Sequence, residues 1–299
     1  MTHAAPEIST QDGPAPGVAS GDLLEGQPLI IVNGECVQTL RTMPANYFAA
    51  CVTSPPYWQK RDYECEGQIG MELTPEDYVD ALLAVFDEVH RVLKPDGSLW
   101  LNLGDSYAAG GNGGGGSLRK RRQQWRTIVG RRGWRKAPPG YKSKDLTLAP
   151  FMVAFALREA GWYLRQTIIW WRGVANEPNR LDRPASAHEY LFQLSKSEDS
   201  TVRDPGEPWW SQSVWKIAAS AGADGHPAPM PAELARRCIV AAAGPGEAVL
   251  DPFGGSGTTG KVAIECGRRA CLIELNASYA ALSDKRCETT MGLQWPSNK

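Results

Sequence analysis

The sequence contains no Cys-x-x-Cys pair. Its seven cysteines (Cys36, Cys51, Cys65, Cys238, Cys266, Cys271 and Cys287) are odd in number and several sit in apolar runs. Reduced, buried thiols are the expectation, rather than a disulfide framework. Only four histidines occur, scattered along the chain. Without a ligand-spaced pair no zinc site is expected, and no metal. No apolar run approaches the roughly 18 residues of a membrane span, and the N-terminus lacks the basic-then-apolar order of a signal peptide. These absences point to a soluble, cytoplasmic protein with no membrane partner.

Acidic residues are missing from one place. Between 117 and 144 there is no Asp or Glu, while 11 of the 32 Lys and Arg lie there. The formal net charge of −1 conceals this, because outside that stretch the balance is 21 − 33 = −12. A nearly neutral protein with one concentrated cationic segment suits an anionic polymer as partner.

What is present is an ordinary globular composition, 42% apolar and 22% charged over 299 residues, ample for a sizeable core. Residues 1–26 are rich in Pro, Gly, Ala and Ser without periodicity and read as a disordered tail. The remainder, 27–299, reads as one domain. "PLIIVNGEC" (28–36) and "FAACV" (48–52) read as buried strands. Thr74 can cap a helix that Pro75 opens and Glu76 and Asp77 favour electrostatically. Tyr78, Leu82, Val85, Phe86, Val89 and Leu93 continue it at helical spacing, and "KPDG" stops it. "SLWLNLGD" (98–105) is the next strand.

Further on, a helix is expected near 147–160, with strands at "YLRQTIIWW" (163–171) and "HEYLFQLS" (188–195). A Pro- and Trp-rich loop follows. A helix "MPAELARRCIVAAAG", a strand "EAVLDPF", a turn and helix "GSGTTGKVAIECG", a strand "ACLIEL" and a helix "NASYAALSDKRCE" complete the chain. Helix and strand alternate with short links, which gives a mostly parallel sheet covered by helices. The pattern breaks only at 106–144, where a glycine run leads into basic residues interleaved with Trp125, Trp134 and Tyr141.

Two segments carry chemistry. In "DPFGGSGTTG" a strand runs into glycines that allow a sharp turn and close approach of backbone amides to a ligand, at the start of a helix. Glu274 ends the next strand 23 positions after Asp251, where a carboxylate can bind a ribose diol. "GSGTTGKV" (255–262) also has the G-x-x-x-x-G-K spacing of a P-loop NTPase. However, Val262 stands where that site needs a hydroxyl for Mg²⁺. A tight strand–helix turn that binds nothing is the plainer alternative. The second segment, "TSPPYW" (53–58), also ends a strand, and therefore lies on the rim where open α/β sheets place ligands. Taken alone, two prolines make a rigid surface turn.

Together, "TSPPYW" and, 197 positions after Ser54, "DPFGGSGTT" resemble the β-class amino-group DNA methyltransferases. In that family [S/D/N]-P-P-[Y/F/W] precedes F-x-G-x-G, matched here by Phe253, Gly255 and Gly257. "RVLKPDGSLWLNLGD", "HEYLFQLSK", "HPAPMPAELARRCI" and "CLIELNASYA" follow the family's order, and the similarity covers residues 29 to about 288. The resemblance implies a Rossmann-like mixed, mostly parallel α/β sheet with helices on both faces, in circularly permuted methyltransferase order. It implies S-adenosyl-L-methionine as cofactor, double-stranded DNA with base flipping as partner, and the setting of a restriction endonuclease of matching specificity. Monomer and homodimer both remain open.

By this resemblance Ser54, Pro55, Pro56 and Tyr57 are the catalytic motif. Asp251, Phe253, Gly255, Gly257 and Thr258 surround the methionine moiety, Glu274 binds the ribose, and Asn33 and Glu35 ("NGE", where N-G-D is commoner) lie on the adenine side. The chemistry suits these residue types. An exocyclic amine is a weak nucleophile because its lone pair delocalises into the ring, and the Ser54 hydroxyl and Pro55 carbonyl can accept its hydrogens. Tyr57 offers a face for an extruded base. Cys51 lacks the motif of cytosine-C5 enzymes and reads as a core residue. Ser at the first motif position favours cytosine N4 over adenine N6, although hydroxyl and carboxylate both accept an amine hydrogen.

The gap between "HEYL" and "HPAPMP", 196–225, is short for a target-recognition region. Much of the DNA contact is therefore expected from a basic insertion, 108–147, through Arg119, Lys120, Arg121, Arg122, Trp125, Arg126, Arg131, Arg132 and Arg135. A solvated loop is the alternative. A DNA-binding protein with an inactive site is the competing function, and methyl transfer would separate the two.

Overall fold

Short apolar strands separated by amphipathic helices can bury both sheet faces only by layering helices on each side. The computed structural model does this. It describes residues 10–12, 23–24, 26–108, 137–173, 182–200, 202–219 and 230–294, with backbone only at 10–12, 289 and 291–294. In chain order the elements are β1 (Thr10–Asp12), β2 (Leu29–Asn33), α1 (Cys36–Thr42), β3 (Phe48–Thr53), α2 (Pro75–Val92), β4 (Leu93–Leu103), α3 (Ala149–Glu159), β5 (Tyr163–Trp171), β6 (His188–Ser195), β7 (Val214–Lys216), α4 (Ala232–Ala242), β8 (Ala248–Asp251), α5 (Thr258–Glu265), β9 (Arg269–Glu274) and α6 (Ala277–Gln294).

The nine strands form one sheet in the order β1-β2-β9-β8-β3-β4-β6-β5-β7. Only β6 runs against the others, antiparallel to both β4 and β5. Side chains alternate across the sheet as the pleat requires. Cys51, Leu250, Cys271 and Ile273 face a core with Leu40, Leu82 and Val153 of α1, α2 and α3. Val52, Val249, Ala270 and Leu272 face a core with Leu234, Val262 and Ala280 of α4, α5 and α6.

The α2 cap is as expected, with Thr74 Oγ1 accepting from Asp77 N at 3.1 Å. β4, however, starts at Leu93, directly after the helix, so "KPDG" lies inside a strand and not in a link. The Pro- and Trp-rich loop holds a 3₁₀ turn, Pro208–Ser211, and the edge strand β7. Of the expected tail, Thr10–Asp12 pair in parallel with β2, and Leu24 is fully buried in the first core. The apolar stretch that anchors the domain therefore begins before residue 27.

β8 leads through α5 to β9 on one side, while β3 leads through α2 to β4 on the other. The connections diverge between the paired strands β3 and β8, which is the topological switch point where open α/β sheets bind ligands.

Candidate active site at the β3–β8 switch point

β3 is buried throughout and ends at Thr53. Thr53 Oγ1 donates to Asp251 Oδ1 at 2.6 Å, tying the C-terminal end of β3 to that of β8. The two motifs are thus brought together. Asp251 Oδ1 also accepts from Phe253 N at 3.0 Å, which fixes the first step of the glycine turn. Burial raises the Asp251 carboxyl above its ordinary value, against hydrogen bonds from Thr53, Thr259 and Phe253 that lower it.

The turn itself is held by its neighbours. Gly257, just before α5, has φ +81°, and a Cβ there would lie 2.2 Å from Ser283 Oγ of α6. Arg286 of α6 donates to the carbonyl and hydroxyl oxygens of Ser256 at 2.7 and 2.6 Å. Glu274 accepts from Gly255 N at 2.8 Å and from Asn276 N at 2.7 Å. Burial raises its carboxyl, and Asp251 adds to the rise. Asn33 Nδ2 donates to the Glu274 and Leu275 carbonyls at 2.8 and 3.2 Å, bracing the strand end. Thr258 is the first residue of α5, beside Gly257. Val262 faces the core, 2% exposed, away from any site on the turn.

Glu35, expected on the adenine side, lies between the end of β2 and the start of α1. It is the N-cap of α1, and its two carboxylate oxygens accept from Val37 N at 2.9 Å and Gln38 N at 2.7 Å. A carboxylate at this spot satisfies two otherwise unpaired helix amides, and each of its oxygens keeps a further lone pair.

The proline corner leaves β3 with Pro55 buried and Ser54, Pro56 and Tyr57 half-buried. Tyr78 of α2 donates to the Pro56 carbonyl at 2.9 Å. Trp58 Nε1 and Gln59 Nε2 donate to the Glu72 carbonyl at 3.0 and 2.6 Å, pinning the chain after the corner. The Tyr57 ring lies against Gly104, where a Cβ would come within 2.6 Å of Tyr57 Cε2.

Four polar groups converge behind Ser54. Tyr57 OH donates to Glu189 Oε2 at 2.6 Å. Asn102 Nδ2 stands 2.7 Å from Tyr57 OH, 3.1 Å from Glu189 Oε2 and 3.3 Å from Ser54 Oγ. Ser54 Oγ and Tyr57 OH are 3.3 Å apart. Arg172 Nη1 pairs with Glu189 Oε1 at 3.1 Å, both side chains being almost buried. Burial, then the charge and hydrogen bond of Glu189, holds the Tyr57 phenol well above its ordinary value.

Sequence reasoning missed Asn102, Gly104, Arg172 and Glu189. The available signal was a buried-type polar residue in the apolar run "LWLNL" and an acidic residue opening the apolar strand "HEYLFQLS". Cys51 lies in the core, its thiol raised well above the ordinary value by burial and by Asp251, as a strand-core residue should be.

The expected DNA contacts, Arg119 to Arg135, lie outside the described residues, as do 226–229 of "HPAPMP". The neck of the insertion is described. Ala108 N donates to the Asp145 carbonyl at 2.8 Å and Lys144 N to the Ala108 carbonyl at 2.6 Å. Asp105 accepts from Thr147 Oγ1 at 2.6 Å and from Leu148 N at 3.2 Å. The insertion therefore leaves and re-enters the domain at the end of β4, next to Gly104 and Tyr57.

Comparison with known proteins agrees with this geometry. A DNA methylase family model, N6_N4_Mtase, matches residues 48–285. The type II methyltransferase M.XycI of Xanthomonas campestris pv. cyanopsidis is 39% identical over 284 residues, 89% of this chain and 91% of that protein. The solved PvuII DNA methyltransferase (cytosine-N4-specific) shares the fold with a TM-score of 0.66 at 22% identity, covering 89% of this chain and 90% of that one. TTHA0409 of Thermus thermophilus, a putative DNA modification methylase solved with S-adenosyl-L-methionine, gives a TM-score of 0.61 at 27% identity, covering 87% and 95%. With both of the family's motifs meeting at one switch point, the chain belongs to the DNA methylases of the β-class amino-group type.

Proposed function

We propose that this protein is a site-specific DNA methyltransferase that moves a methyl group from S-adenosyl-L-methionine to the exocyclic N4 amine of cytosine in duplex DNA. One contact carries the reading. The 2.6 Å bond between Thr53 and Asp251 puts the proline corner and the glycine turn on adjacent strand ends.

The residues fit the cofactor. A ribose diol offers two donors, and each Glu274 oxygen that already accepts one backbone amide keeps a further lone pair. The space that a Cβ at Gly257 would fill is closed by Ser283, so α6 packs directly against the turn and holds its shape. Asp251, Phe253, Gly255, Gly257 and Thr258 would hold the methionine end, Glu274 the ribose, and Asn33 braces the strand end. When bound, the cofactor supplies an electrophilic methyl on a sulfonium that leaves readily.

Ser54 Oγ accepts a hydrogen from the target amine, which draws the nitrogen toward a pyramidal form and frees its lone pair. Tyr57 presents its ring to the extruded base. Ser54 in place of Asp at the first motif position favours cytosine N4. The neck geometry supports DNA contact by the basic insertion, because Arg119–Arg135 are carried on a segment rooted beside Tyr57.

The test is incubation with S-adenosyl-L-methionine and DNA of mixed sequence, followed by mass spectrometry of the nucleosides. N4-methylcytosine is expected. N6-methyladenine as sole product would overturn the choice of base, and no methylated nucleoside would overturn the reading.

A further inference from the structure

Three side chains of the protein engage the Glu189 carboxylate, and both of its oxygens are used. Oε1 takes Arg172, while Oε2 takes the Tyr57 hydroxyl and Asn102 Nδ2. Arg172 is itself held by the Ser186 carbonyl at 2.9 Å and by its own backbone N–H to the Ala187 carbonyl at 2.9 Å. The pair sits on β6 and just past β5, at Glu189 opposite Trp170. Because β6 runs against its neighbours, its first residues meet the C-terminal rim where the other strands end.

The direction of each hydrogen bond in this cluster follows from what each group can donate. An ionised carboxylate only accepts, so the 2.6 Å contact commits the Tyr57 proton to Glu189. The Tyr57 oxygen is then left with lone pairs alone. Asn102 Nδ2 fills one of them at 2.7 Å. Ser54, 3.3 Å away, can meet Tyr57 only as donor. Its own proton is turned inward, and its lone pairs are left for Asn102 and for a group outside. A target amine needs an acceptor there, not a donor.

We propose that Glu189 is a positioning residue, which sets the hydrogen-bond polarity of the Ser54–Tyr57 pair and so presents Ser54 to the target amine as an acceptor. This rests on the methyltransferase reading of the preceding subsection. Arg172 supplies the countercharge, and the two hydrogens of Asn102 Nδ2 are shared among the Tyr57, Glu189 and Ser54 oxygens, with Ser54 the most distant. Glu189→Gln keeps the shape but removes the obligation. An amide can donate to Tyr57, which then donates to Ser54 and turns its proton toward the amine.

The experiment compares wild type, Glu189→Gln, Tyr57→Phe and the double variant in steady-state methylation of DNA. E189Q should lower kcat by about 10²-fold, the scale of one preorganised hydrogen bond in an active site. KM for DNA and for S-adenosyl-L-methionine should stay within about threefold. In the Y57F background the same change should cost less than about fivefold, since the chain is already broken. Wild-type kcat in E189Q, or an equal penalty in both backgrounds, would overturn the proposal.

A second readout needs neither cofactor nor DNA. In protein carrying ¹³Cζ-tyrosine, the resonance that Y57F removes should move in E189Q as the phenol loses its carboxylate acceptor, while Asn102 and Ser54 remain beside it. An unmoved resonance overturns the proposal, whereas an inactive wild type sinks only the methyltransferase reading. Should E189Q fail to fold, Glu189→Asp draws the acceptor away from the Tyr57 hydroxyl by one methylene, which should likewise lower kcat with KM held, and an unchanged kcat would overturn the proposal.

Discussion

Thr53 and Asp251 lie 198 positions apart, yet their side chains share a 2.6 Å hydrogen bond inside the domain. Each is the last residue of its strand, and each is followed at once by a motif, Ser54-Pro55-Pro56-Tyr57 in one case and the glycine turn in the other. The bond couples the geometry of the two motifs. A buried carboxylate that loses this partner must turn elsewhere for a donor.

Thr53→Val keeps the shape of the side chain and removes the donor. It should destabilise the fold by about 1–3 kcal/mol, the range for stranding a buried acceptor. It should also weaken binding of S-adenosyl-L-methionine. Urea unfolding and titration calorimetry read the two effects. Full cofactor affinity in the variant would show that the strand ends are not coupled.

Gly104→Ala places a methyl where Tyr57 Cε2 stands, at 2.6 Å. The backbone at Gly104 is not in the left-handed region, so the effect is steric and falls on the tyrosine ring. kcat should drop at least tenfold while cofactor affinity holds, because the glycine turn is untouched. Loss of cofactor binding in this variant would argue against the separation of the two subsites.

Burial raises both Asp251 and Glu274, so the folded state holds their protons more tightly than the unfolded chain does. Their contribution to stability is present at low pH and is lost as pH climbs from the ordinary carboxyl range through the raised folded values. Asp251→Asn keeps an acceptor for Thr53 and Phe253 but cannot ionise. Urea midpoints measured from pH 4 upward should fall less steeply in D251N than in wild type.

Breaking the Arg172–Glu189 pair from the other side leaves an uncompensated, almost buried carboxylate. Arg172→Met should cost about 3–5 kcal/mol. Denaturant unfolding measures it, and a change below about 1 kcal/mol would mean that the pair is open to water.

Deleting 112–136 removes nine of the Lys and Arg and spares the neck formed by Ala108, Lys144 and Asp145. Affinity for duplex DNA should fall by orders of magnitude, and the salt dependence of what remains should flatten. Cofactor binding should persist. Unchanged DNA affinity in a fluorescence-anisotropy titration would assign recognition to another surface.

Much of this was legible in the residues themselves. Helical spacing from Tyr78 to Val92, the Thr74 cap, and the strands at 163–171 and 188–195 follow from local periodicity and turn chemistry, which act over a few positions. Gly255 and Gly257 stood out because a sharp turn demands glycine, and Ser54, Tyr57 and Glu274 because their side-chain chemistry at strand ends follows the family's motifs.

Other features were decided only by the folded chain. Glu35 became a helix cap because α1 begins at Cys36, leaving amides that its carboxylate can reach. Asn102, Arg172 and Glu189 meet at Tyr57 because one strand, β6, enters the sheet reversed and brings its beginning to the rim where the others finish. Strand direction and partner choice depend on hydrogen bonds between residues far apart in sequence, and no local pattern encodes them. The sequence by itself determined the main helices and strands and the motifs they carry, but not the edge strands β1 and β7, which form only by pairing with the sheet. The tertiary structure decided which polar groups stand behind the Ser54 hydroxyl, since that depends on pairing across the whole sheet.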